Sequence, residues 1–488
     1  MRSRAENFTL GRLAWRLGRG RGPTVLTETP ERPIGAKLEI TYACNLRCDF
    51  CYTDSPRRTL QRTPELSDEE WRRVVDECLE LGIVEAVVTG GEPLLRQEAT
   101  LGIVEQLAGA GVGVTLNTNG WFVDEEVTER LGALRGVTAH ISVDGARAGL
   151  HDASRGVPGS WRRAIEGIDR LLGAGVGVCV VHVVTPDNEK GVPELLEQMW
   201  TLGVPWVRMT PVVVTGAAAR GGDWSVSRQD LQRAVNEFEA RHGEAMRIQL
   251  VPGTGGTIAM QGRQAPGSFL VRPNGDVRPD SMRPFTFGNA ATDGVASCWE
   301  SLRQGWDDER INRWAEKMKG SSDLPKQDLV AYLDDEVEIA GESTDRGTGR
   351  DAPVPAKSPP KAVDPETDLA EAQAKIRELA LARRYRQAPL RSTGGPATRF
   401  VRLGSDGTYL RLNESGALVM DSLDGGTVAD AATELERRYG IAEERAVADA
   451  IGACRELQRQ RVVLAEGARE GFLVEAGTSD LPGSVPEG

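Results

Sequence analysis

The chain has 488 residues, which is long for one domain and predicts two or three. Its net charge of −13 argues against a nucleic-acid partner, since proteins that bind nucleic acid usually present a basic face. No apolar run is long enough to span a membrane, and the basic N-terminus lacks the pattern of a secretory signal. Seven cysteines in a chain of this length fit a reducing compartment. The sequence therefore predicts a cytoplasmic protein without a membrane partner. Residues 1–33 form an N-terminal arm, with a short helix predicted over 7–18.

A strand predicted over Lys37–Thr41 leads directly into a cysteine-rich loop. Cys44, Cys48 and Cys51 stand within eight residues, too close together for all three to pair as disulfides. Clustered thiolates select zinc or an iron–sulfur cluster, but a structural zinc site needs a fourth Cys or His, and none follows before Cys78. A 4Fe-4S cluster also normally takes four cysteines, so three ligands would leave one iron open to a substrate or cofactor.

A glycine motif follows one βα unit later. A helix is predicted from Ser67 to Leu81 and a strand over Glu85–Thr89, which runs into Gly90-Gly91-Glu92-Pro93. Two adjacent glycines allow the backbone to approach a ligand closely and present its N–H and C=O groups. Such a sequence alone more often marks a turn.

Strands and helices continue to alternate, which predicts a parallel sheet built from six βα units. The further strands are predicted over 113–117, 138–143, 177–185 and 205–211, and the helices over 98–109, 124–134, 160–173 and 191–202. Polar residues fall at or after the ends of these strands, namely Asn117, Ser142, Asp144 and Arg155. His182 and Arg208 lie mid-strand and are candidates to contact substrate or cofactor, with a satisfied core histidine as the alternative for His182.

The cysteine loop, with Phe50 before its last cysteine, resembles the signature of radical S-adenosylmethionine (radical SAM) enzymes. The resemblance implies an α/β fold, with residues 34–215 forming a partial (β/α)6 barrel. It also implies one 4Fe-4S cluster held by Cys44, Cys48 and Cys51, and S-adenosylmethionine bound to the open iron. An electron donor such as flavodoxin or ferredoxin would then drive cleavage to a 5′-deoxyadenosyl radical.

The same resemblance assigns roles in binding S-adenosylmethionine. Gly90, Gly91, Glu92 and Pro93 match the segment at the methionine amino group, where the Glu would accept from the ammonium. The resemblance places Asn117, Ser142, Asp144 and Arg155 in segments that hold the cofactor, with Arg155 suited to its carboxylate. The alternative for each of these four is turn capping or a surface position.

Residues 216–340 resemble a degenerate form of the extension called SPASM or twitch. A hairpin is predicted over Phe269–Val277 with its turn at Asn274-Gly275, and Pro279-Asp280-Ser281 stands where the extension normally places a cysteine. Only Cys298 remains in this segment, and one thiol cannot hold an auxiliary cluster. We expect Cys298 either to be buried beside its neighbour Trp299 or to act as a catalytic hydrogen-atom donor at the barrel mouth.

Residues 341–396 are predicted to be a flexible linker, because Gly, Ser and Pro dominate its first part. A charged helix is predicted within it over 366–386. A compact winged-helix-like α+β domain is predicted over 397–467, followed by a tail at 468–488. The domain begins with a hairpin around 404–407, and helices follow over 414–423, 428–439 and 443–460.

This domain resembles the pyrroloquinoline quinone D-protein family through Leu412-Asn-Glu-Ser-Gly, Leu423-Asp-Gly-Gly and Tyr439-Gly. Members of that family bind the leader of a precursor peptide as an added strand. A radical barrel joined to such a domain predicts a maturase of a ribosomally made peptide, with the leader bound by residues 397–467. One alternative is radical chemistry on a protein or small molecule, as in sulfatase maturation or cofactor biosynthesis. A second alternative is a non-catalytic peptide-binding protein.

Overall fold

The structure is a computed structural model that describes residues 29–466 with gaps. The gaps are 56–63, 215, 221, 244–245, 252–265, 282, 284, 320–336, 339–363, 389–391, 396–397, 403–408 and 460–461. The predicted helix over 7–18 and the tail at 468–488 lie outside the described residues.

Within the described residues, nine strands form one sheet in the order β7-β6-β5-β4-β3-β2-β1-β8-β9. Neighbouring strands are parallel except for the β8–β9 pair. The strands are β1 (Gly35–Glu39), β2 (Glu85–Thr89), β3 (Gly113–Thr118), β4 (Val137–Ser142), β5 (Gly177–Val184), β6 (Trp206–Pro211), β7 (Arg247–Leu250), β8 (Ser268–Val271) and β9 (Val277–Arg278). The six predicted parallel strands are therefore confirmed as β1 to β6.

Helices connect these strands, five of them as the sequence predicted and two, the helix directly after β4 and the helix after β6, not predicted. They are α1 (Asp68–Leu81), α2 (Gln97–Gly109), α3 (Glu125–Gly132), α4 (Ala148–Arg155), α5 (Ser160–Gly173), α6 (Val192–Leu202) and α7 (Arg228–His242). The sequence did not predict α4, which inserts between β4 and α5. Local signals set the ends of α1, where Ser67 and Glu70 form a capping box and Gly82 closes the helix with φ of 80°.

The two faces of the sheet differ in chemistry. One face, which we call the outer face, packs with the helices in the main hydrophobic core and carries Leu38, Val88, Leu116, Ile141 and Val180. Strand residues in register point to one side of a sheet, so the register fixes the other face as well. We call this the inner face, and define it by the following residues, which alternate with the outer set: Lys37, Thr115, Asn117, His140, Ser142, Cys179, Val181 and Arg208.

The extension begins with the predicted hairpin, which is confirmed. β8 and β9 are antiparallel, Gly275 has φ of 93° in their turn, and β8 pairs with β1 to extend the barrel sheet. Two short strands, β10 (Phe285–Thr286) and β11 (Val337–Glu338), pair in parallel, and two helices complete the segment, α8 (Val295–Gly305) and α9 (Glu309–Lys319).

The segment predicted as a linker contains a long helix, α10 (Pro365–Ala382). The predicted helix is confirmed, but the flexible linker is wrong here, because α10 packs against the barrel. Near its start, the buried Asp368 carboxylate accepts from the Gly149 N–H at 2.8 Å, just after the C-terminal end of β4. Near its end, Arg383 donates to the Leu202 carbonyl at 2.7 Å and pairs with Asp169.

The C-terminal domain matches its predicted elements. Its strands are β12 (Tyr385–Gln387), β13 (Ser392–Gly395), β14 (Thr398–Arg402), β15 (Tyr409–Asn413) and β16 (Val463–Ala465), and its helices are α11 (Glu414–Ser422), α12 (Val428–Tyr439) and α13 (Glu443–Arg459). Asn413 caps α11 and Gly440 ends α12 as predicted, while the hairpin turn lies outside the described residues. The domain starts before residue 397, because β12 pairs with β16.

One buried arginine joins this domain to the barrel. Arg455 on α13 donates to the Thr201 carbonyl at 2.8 Å and to the Tyr385 hydroxyl at 2.9 Å. Gly203, at the end of α6, has φ of 87°. A Cβ at Gly203 would lie 2.8 Å from the guanidinium carbon of Arg455, so a side chain there would be obstructed. The domain therefore rests on the edge of the barrel where the strands begin.

No helix among the described residues is both long and apolar enough to cross a bilayer.

Candidate active site

The cysteine loop follows β1 and lies at the edge of the sheet where the parallel strands end. Cys48 is buried, Cys44 and Cys51 are half-buried, and all seven cysteines of the chain are free thiols. The Cys44 sulfur accepts from the Leu46 N–H at 3.4 Å, and the Cys51 sulfur accepts from the Ser55 N–H at 3.4 Å. The alternative of disulfide-bonded cysteines is therefore wrong.

Other loops at the same edge hold this loop in place. The Arg47 N–H donates to the Arg155 carbonyl at 2.8 Å, and the Ala217 N–H donates to the Cys51 carbonyl at 2.9 Å. Leu46 and Phe50 pack with apolar side chains from three further loops, including Trp121, Val157, Val212, Ala218 and Trp224. The thiols therefore lie in a preformed pocket with an apolar wall.

This thiol set fits a cluster better than a single metal ion. Among the described residues, no three His, Cys, Asp or Glu side chains are grouped so that they could share one ion. Ligands of a 4Fe-4S cluster bind separate irons, so they need not converge on one point. Burial raises the pKa of Cys44 well above its ordinary value and that of Cys48 to about 11, so a cluster would have to displace these protons.

The Gly-Gly-Glu-Pro segment packs directly against the cysteine loop. The Gly91 N–H donates to the Thr41 carbonyl at 2.7 Å, and the Glu92 N–H donates to the Ala43 carbonyl at 2.8 Å. A Cβ on Gly91 would lie 2.2 Å from the Ala43 oxygen, so only glycine allows this approach. The structure thus brings the two sequence motifs together, as their predicted shared role requires.

Glu92 has partners that the sequence did not reveal. Its carboxylate is fully buried and accepts from the Leu94 N–H at 3.1 Å, the Thr118 hydroxyl at 2.7 Å and the Asn119 N–H at 2.7 Å. These bonds tie the end of β2 to the end of β3. Three of its acceptor positions are used by the protein itself, so its predicted role toward the ammonium of S-adenosylmethionine stays a prediction.

Burial outweighs these hydrogen bonds and raises the pKa of Glu92 to about 7. The folded chain then binds more protons than the unfolded chain between about pH 4.5 and 7, so the stability that Glu92 contributes is lost as the pH rises. We expect the free energy of unfolding to fall by up to about 3 kcal/mol over this range through Glu92, and Glu92→Gln to remove that part of the slope. Urea denaturation at several pH values measures it. Glu69→Gln, at an exposed position, is the control, and an unchanged slope in Glu92→Gln would refute the expectation.

Asp144 and Arg155 form a buried ion pair beside the cysteine loop. Arg155 Nε lies 2.5 Å from Asp144 Oδ2, and Arg155 Nη1 donates to the Cys48 sulfur at 3.7 Å. Burial raises the pKa of Asp144, but the charge of Arg155, the nearby His182 and His151 and the hydrogen bond from Arg155 together lower it below its usual value, so the carboxyl is ionised at neutral pH. Arg155 already has a carboxylate partner within the protein, which suits it to positioning the loop. Its predicted contact with the methionine carboxylate stays a prediction.

Asn117 and Ser142 both lie on the inner face near the ends of their strands. The buried Asn117 Oδ1 has no hydrogen-bond partner among the described residues, as expected of an atom that meets a polar ligand. His182 points to the outer face instead, where its Nδ1 contacts the Val143 carbonyl at 2.9 Å and only 1% of the residue is exposed. His182 is therefore a core histidine, although its buried Nε2 has no hydrogen-bond partner among the described residues.

Cys298 lies on the opposite side of the sheet from the cysteine loop. It is 1% exposed on α8, belongs to the main core with Trp299 and Phe287, and burial raises its pKa to about 12. Trp299 contacts Phe269 of β8, which is in register with Ala36 on the outer face. The structure therefore contradicts a hydrogen-atom donor at the barrel mouth and places Cys298 in the buried role.

The sequence analysis missed a polar network on the inner face. Lys37 Nζ donates to the Ser281 hydroxyl at 2.7 Å and to the Tyr52 hydroxyl at 3.1 Å, and Tyr52 donates to Glu39 at 3.1 Å. Ser281 belongs to the segment predicted to stand in place of the extension's cysteine, and its hydroxyl is used in this hydrogen bond. The alternation of Lys37 and Glu39 with apolar residues in β1 was an available signal.

Two protein-family models match the chain. The model of the radical SAM superfamily matches residues 38–199, and that of coenzyme PQQ synthesis protein D (PqqD) matches residues 395–463. The first covers the cysteine loop and the strands that carry the candidate site, and the second covers most of the C-terminal domain.

Three curated relatives match the N-terminal part of the chain. The AdoMet-dependent heme synthase of Oleidesulfovibrio alaskensis is 29% identical over 200 residues, which are 41% of this chain and 51% of that protein. The sporulation killing factor maturation protein SkfB of Bacillus subtilis is 28% identical, over 56% of this chain and 66% of that protein. The mycofactocin maturase MftC of Mycobacterium ulcerans is 30% identical, over 54% of this chain and 73% of that protein.

The chain thus spans between about half and three quarters of the length of these relatives. The matches confirm the resemblances predicted for the barrel and for the C-terminal domain, and the fold class of a partial barrel, while the resemblance of residues 216–340 to a degenerate extension stays a prediction. They also confirm the two predicted cofactors, a 4Fe-4S cluster and S-adenosylmethionine, since these define the matched superfamily. The chain belongs to the radical SAM superfamily and carries a PqqD domain after its barrel.

Proposed function

We propose that this protein is a maturase that uses radical chemistry to modify a ribosomally synthesised precursor peptide. The observation that carries the proposal is the PqqD domain held against the barrel by Arg383 and Arg455. Members of the PqqD family bind leader peptides, so the domain would bring the rest of the same peptide to the inner face. The relatives SkfB and MftC are maturases by name, which supports this choice.

In this proposal, Cys44, Cys48 and Cys51 hold the cluster, and the Gly90–Pro93 segment with Asn117, Ser142 and Asp144 contacts S-adenosylmethionine. When bound, these cofactors supply a 5′-deoxyadenosyl radical that abstracts a hydrogen atom. The Asp144–Arg155 pair fixes the cysteine loop, and the apolar wall of Phe50, Trp121 and Trp224 excludes water. A flavodoxin or ferredoxin would deliver the electron.

The test is anaerobic reconstitution followed by two measurements, with and without a short peptide encoded beside the gene. We expect 5′-deoxyadenosine to form, and the peptide to change mass only when S-adenosylmethionine and a reductant are present. Formation of 5′-deoxyadenosine with no change in any neighbouring peptide would favour a protein or small-molecule substrate instead. Absence of 5′-deoxyadenosine under all conditions would favour a non-catalytic peptide-binding protein.

A further inference from the structure

Arg208 is a positive charge on the inner face without a counter-ion. It lies on β6, in register with Val181 of β5 and Gln249 of β7, so its side chain shares the face of Ser142. Within the described part of the chain, its guanidinium makes no ion pair, and its buried Nε has no hydrogen-bond partner. A half-buried charge without a partner is costly unless a ligand supplies one.

Of the residues that the structure describes around Arg208, none supplies a negative charge. Burial and the charge of Arg208 lower the pKa of His140 to about 4, so this imidazole is neutral. Burial raises the pKa of Cys179 to about 12, so this thiol is neutral as well. Both residues share the inner face with Arg208. Among the described residues, the surroundings of the guanidinium therefore offer neutral hydrogen-bonding groups and a second cation, Arg247, whose charge also acts on Cys179.

Three cations near the site, Lys37, Arg272 and Arg155, have a carboxylate partner, unlike Arg208. On the inner face, Glu39 lies 3.9 Å from Lys37 Nζ and 3.2 Å from Arg272 Nε. Beside the cysteine loop, Asp144 neutralises Arg155. Where the fold needs a cation for itself, it thus provides a carboxylate, and at Arg208 it does not.

We infer that Arg208 binds a carboxylate of the substrate, either the side chain of an acidic residue or the C-terminal carboxylate of the peptide. The planar guanidinium offers paired donors that match a carboxylate. The residues predicted to contact S-adenosylmethionine lie after β2, β3 and β4, whereas Arg208 lies on β6, which favours the substrate over the cofactor as the source. This inference rests on the proposed function and names a property of the substrate.

A binding experiment tests Arg208 without knowledge of the precursor. The reconstituted full chain with S-adenosylmethionine is titrated calorimetrically with N-acetyl-alanine, N-acetyl-glutamate α-amide and N-acetyl-glutamine α-amide. These probes present a C-terminal carboxylate, a side-chain carboxylate and a neutral amide. We expect one carboxylate probe to bind about tenfold more tightly than the amide, and Arg208→Gln to abolish that difference. Equal binding of all three probes to the wild-type chain would overturn the inference.

Kinetic measurements with the peptide then show whether Arg208 acts mainly on KM or on kcat. Arg208→Gln should raise KM for the peptide about tenfold with a smaller change in kcat, and Arg208→Lys should restore part of the loss. In the peptide, the recognised Asp or Glu can be replaced by its amide, or the C-terminus can be amidated. Either change should weaken peptide binding by the wild type and leave peptide binding by Arg208→Gln unchanged. The matched control is Arg233→Gln, because Arg233 is an exposed arginine on α7, away from the inner face, and pairs with Asp230.

Two further outcomes would each lead to a different conclusion about Arg208 or about the proposed function. If Arg208→Gln weakens S-adenosylmethionine binding in equilibrium dialysis as much as it raises KM, the carboxylate belongs to the cofactor and the inference is wrong. If the wild type modifies no peptide but still prefers a carboxylate probe in an Arg208-dependent way, the proposed function fails while the carboxylate site stands.

Discussion

Cys48→Ala should bind little iron after anaerobic reconstitution and should form 5′-deoxyadenosine at a rate lower by about three orders of magnitude or more. Cys48 is the buried member of the three-thiol loop and faces Arg155 at 3.7 Å, so alanine removes a ligand that no neighbouring thiol replaces. Iron analysis, the visible absorbance of the cluster and product chromatography measure the change. The wild type should hold about four irons per chain, as expected for one 4Fe-4S cluster.

Cys298→Ala is the matched control, because it removes a buried thiol from the outer-face core. It should keep iron content and 5′-deoxyadenosine formation, at a stability cost on the order of 1 kcal/mol from the lost packing. Loss of iron in Cys298→Ala, or full iron in Cys48→Ala, would show that the ligands are misassigned. About eight irons per wild-type chain would show a second cluster.

Deleting residues 385–488 should leave cleavage of S-adenosylmethionine within about twofold but lower kcat/KM for the precursor peptide by about a hundredfold. The candidate site lies entirely before this domain, whereas a peptide bound to the domain is held near the barrel at a high effective concentration. The deletion leaves α10 and Arg383 in place, so the barrel keeps its contacts with Asp368 and Arg383. Steady-state kinetics with the full-length peptide measure the loss.

A peptide without its leader provides the control for the deletion. The wild type should modify it as slowly as the shortened chain does, because both then depend on the inner face alone. If the shortened chain modified the full-length peptide at the wild-type rate, leader binding by the PqqD domain would be wrong. If it lost 5′-deoxyadenosine formation as well, the domain would be needed for the stability of the barrel.

The strands of the barrel could be predicted closely from the sequence, because Val-rich runs bounded by glycine carry their own signal. Glu85–Thr89 was predicted at the observed bounds, and the helix Ser160–Gly173 likewise. The cysteine loop and the Gly-Gly-Glu-Pro segment were also identified from local spacing. The helix Ala148–Arg155 was missed, because two turns flanked by Gly145 and Gly156 resemble a loop in sequence.

The remaining features depend on contacts that are distant in sequence. Glu92 meets Thr118 and Asn119 from the next strand, and Arg455 meets Thr201 from another domain. No periodicity or local spacing encodes such pairs. The face of Cys298 likewise depends on how α8 packs beneath the sheet, which the composition of its segment does not reveal.

The position of α10 sets a distance that the precursor has to cover. The helix has 18 residues, so it is roughly 27 Å long, and it runs from the rim of the barrel at Gly149 to the base at Leu202. The rim carries the cysteine loop, and the base carries the Arg455 contact of the PqqD domain. A peptide bound beside the Arg455 contact would need about eight extended residues to reach the rim of the barrel. If the proposed function holds, the length of the helix sets the shortest spacing between the leader and the modified residue that a precursor can have.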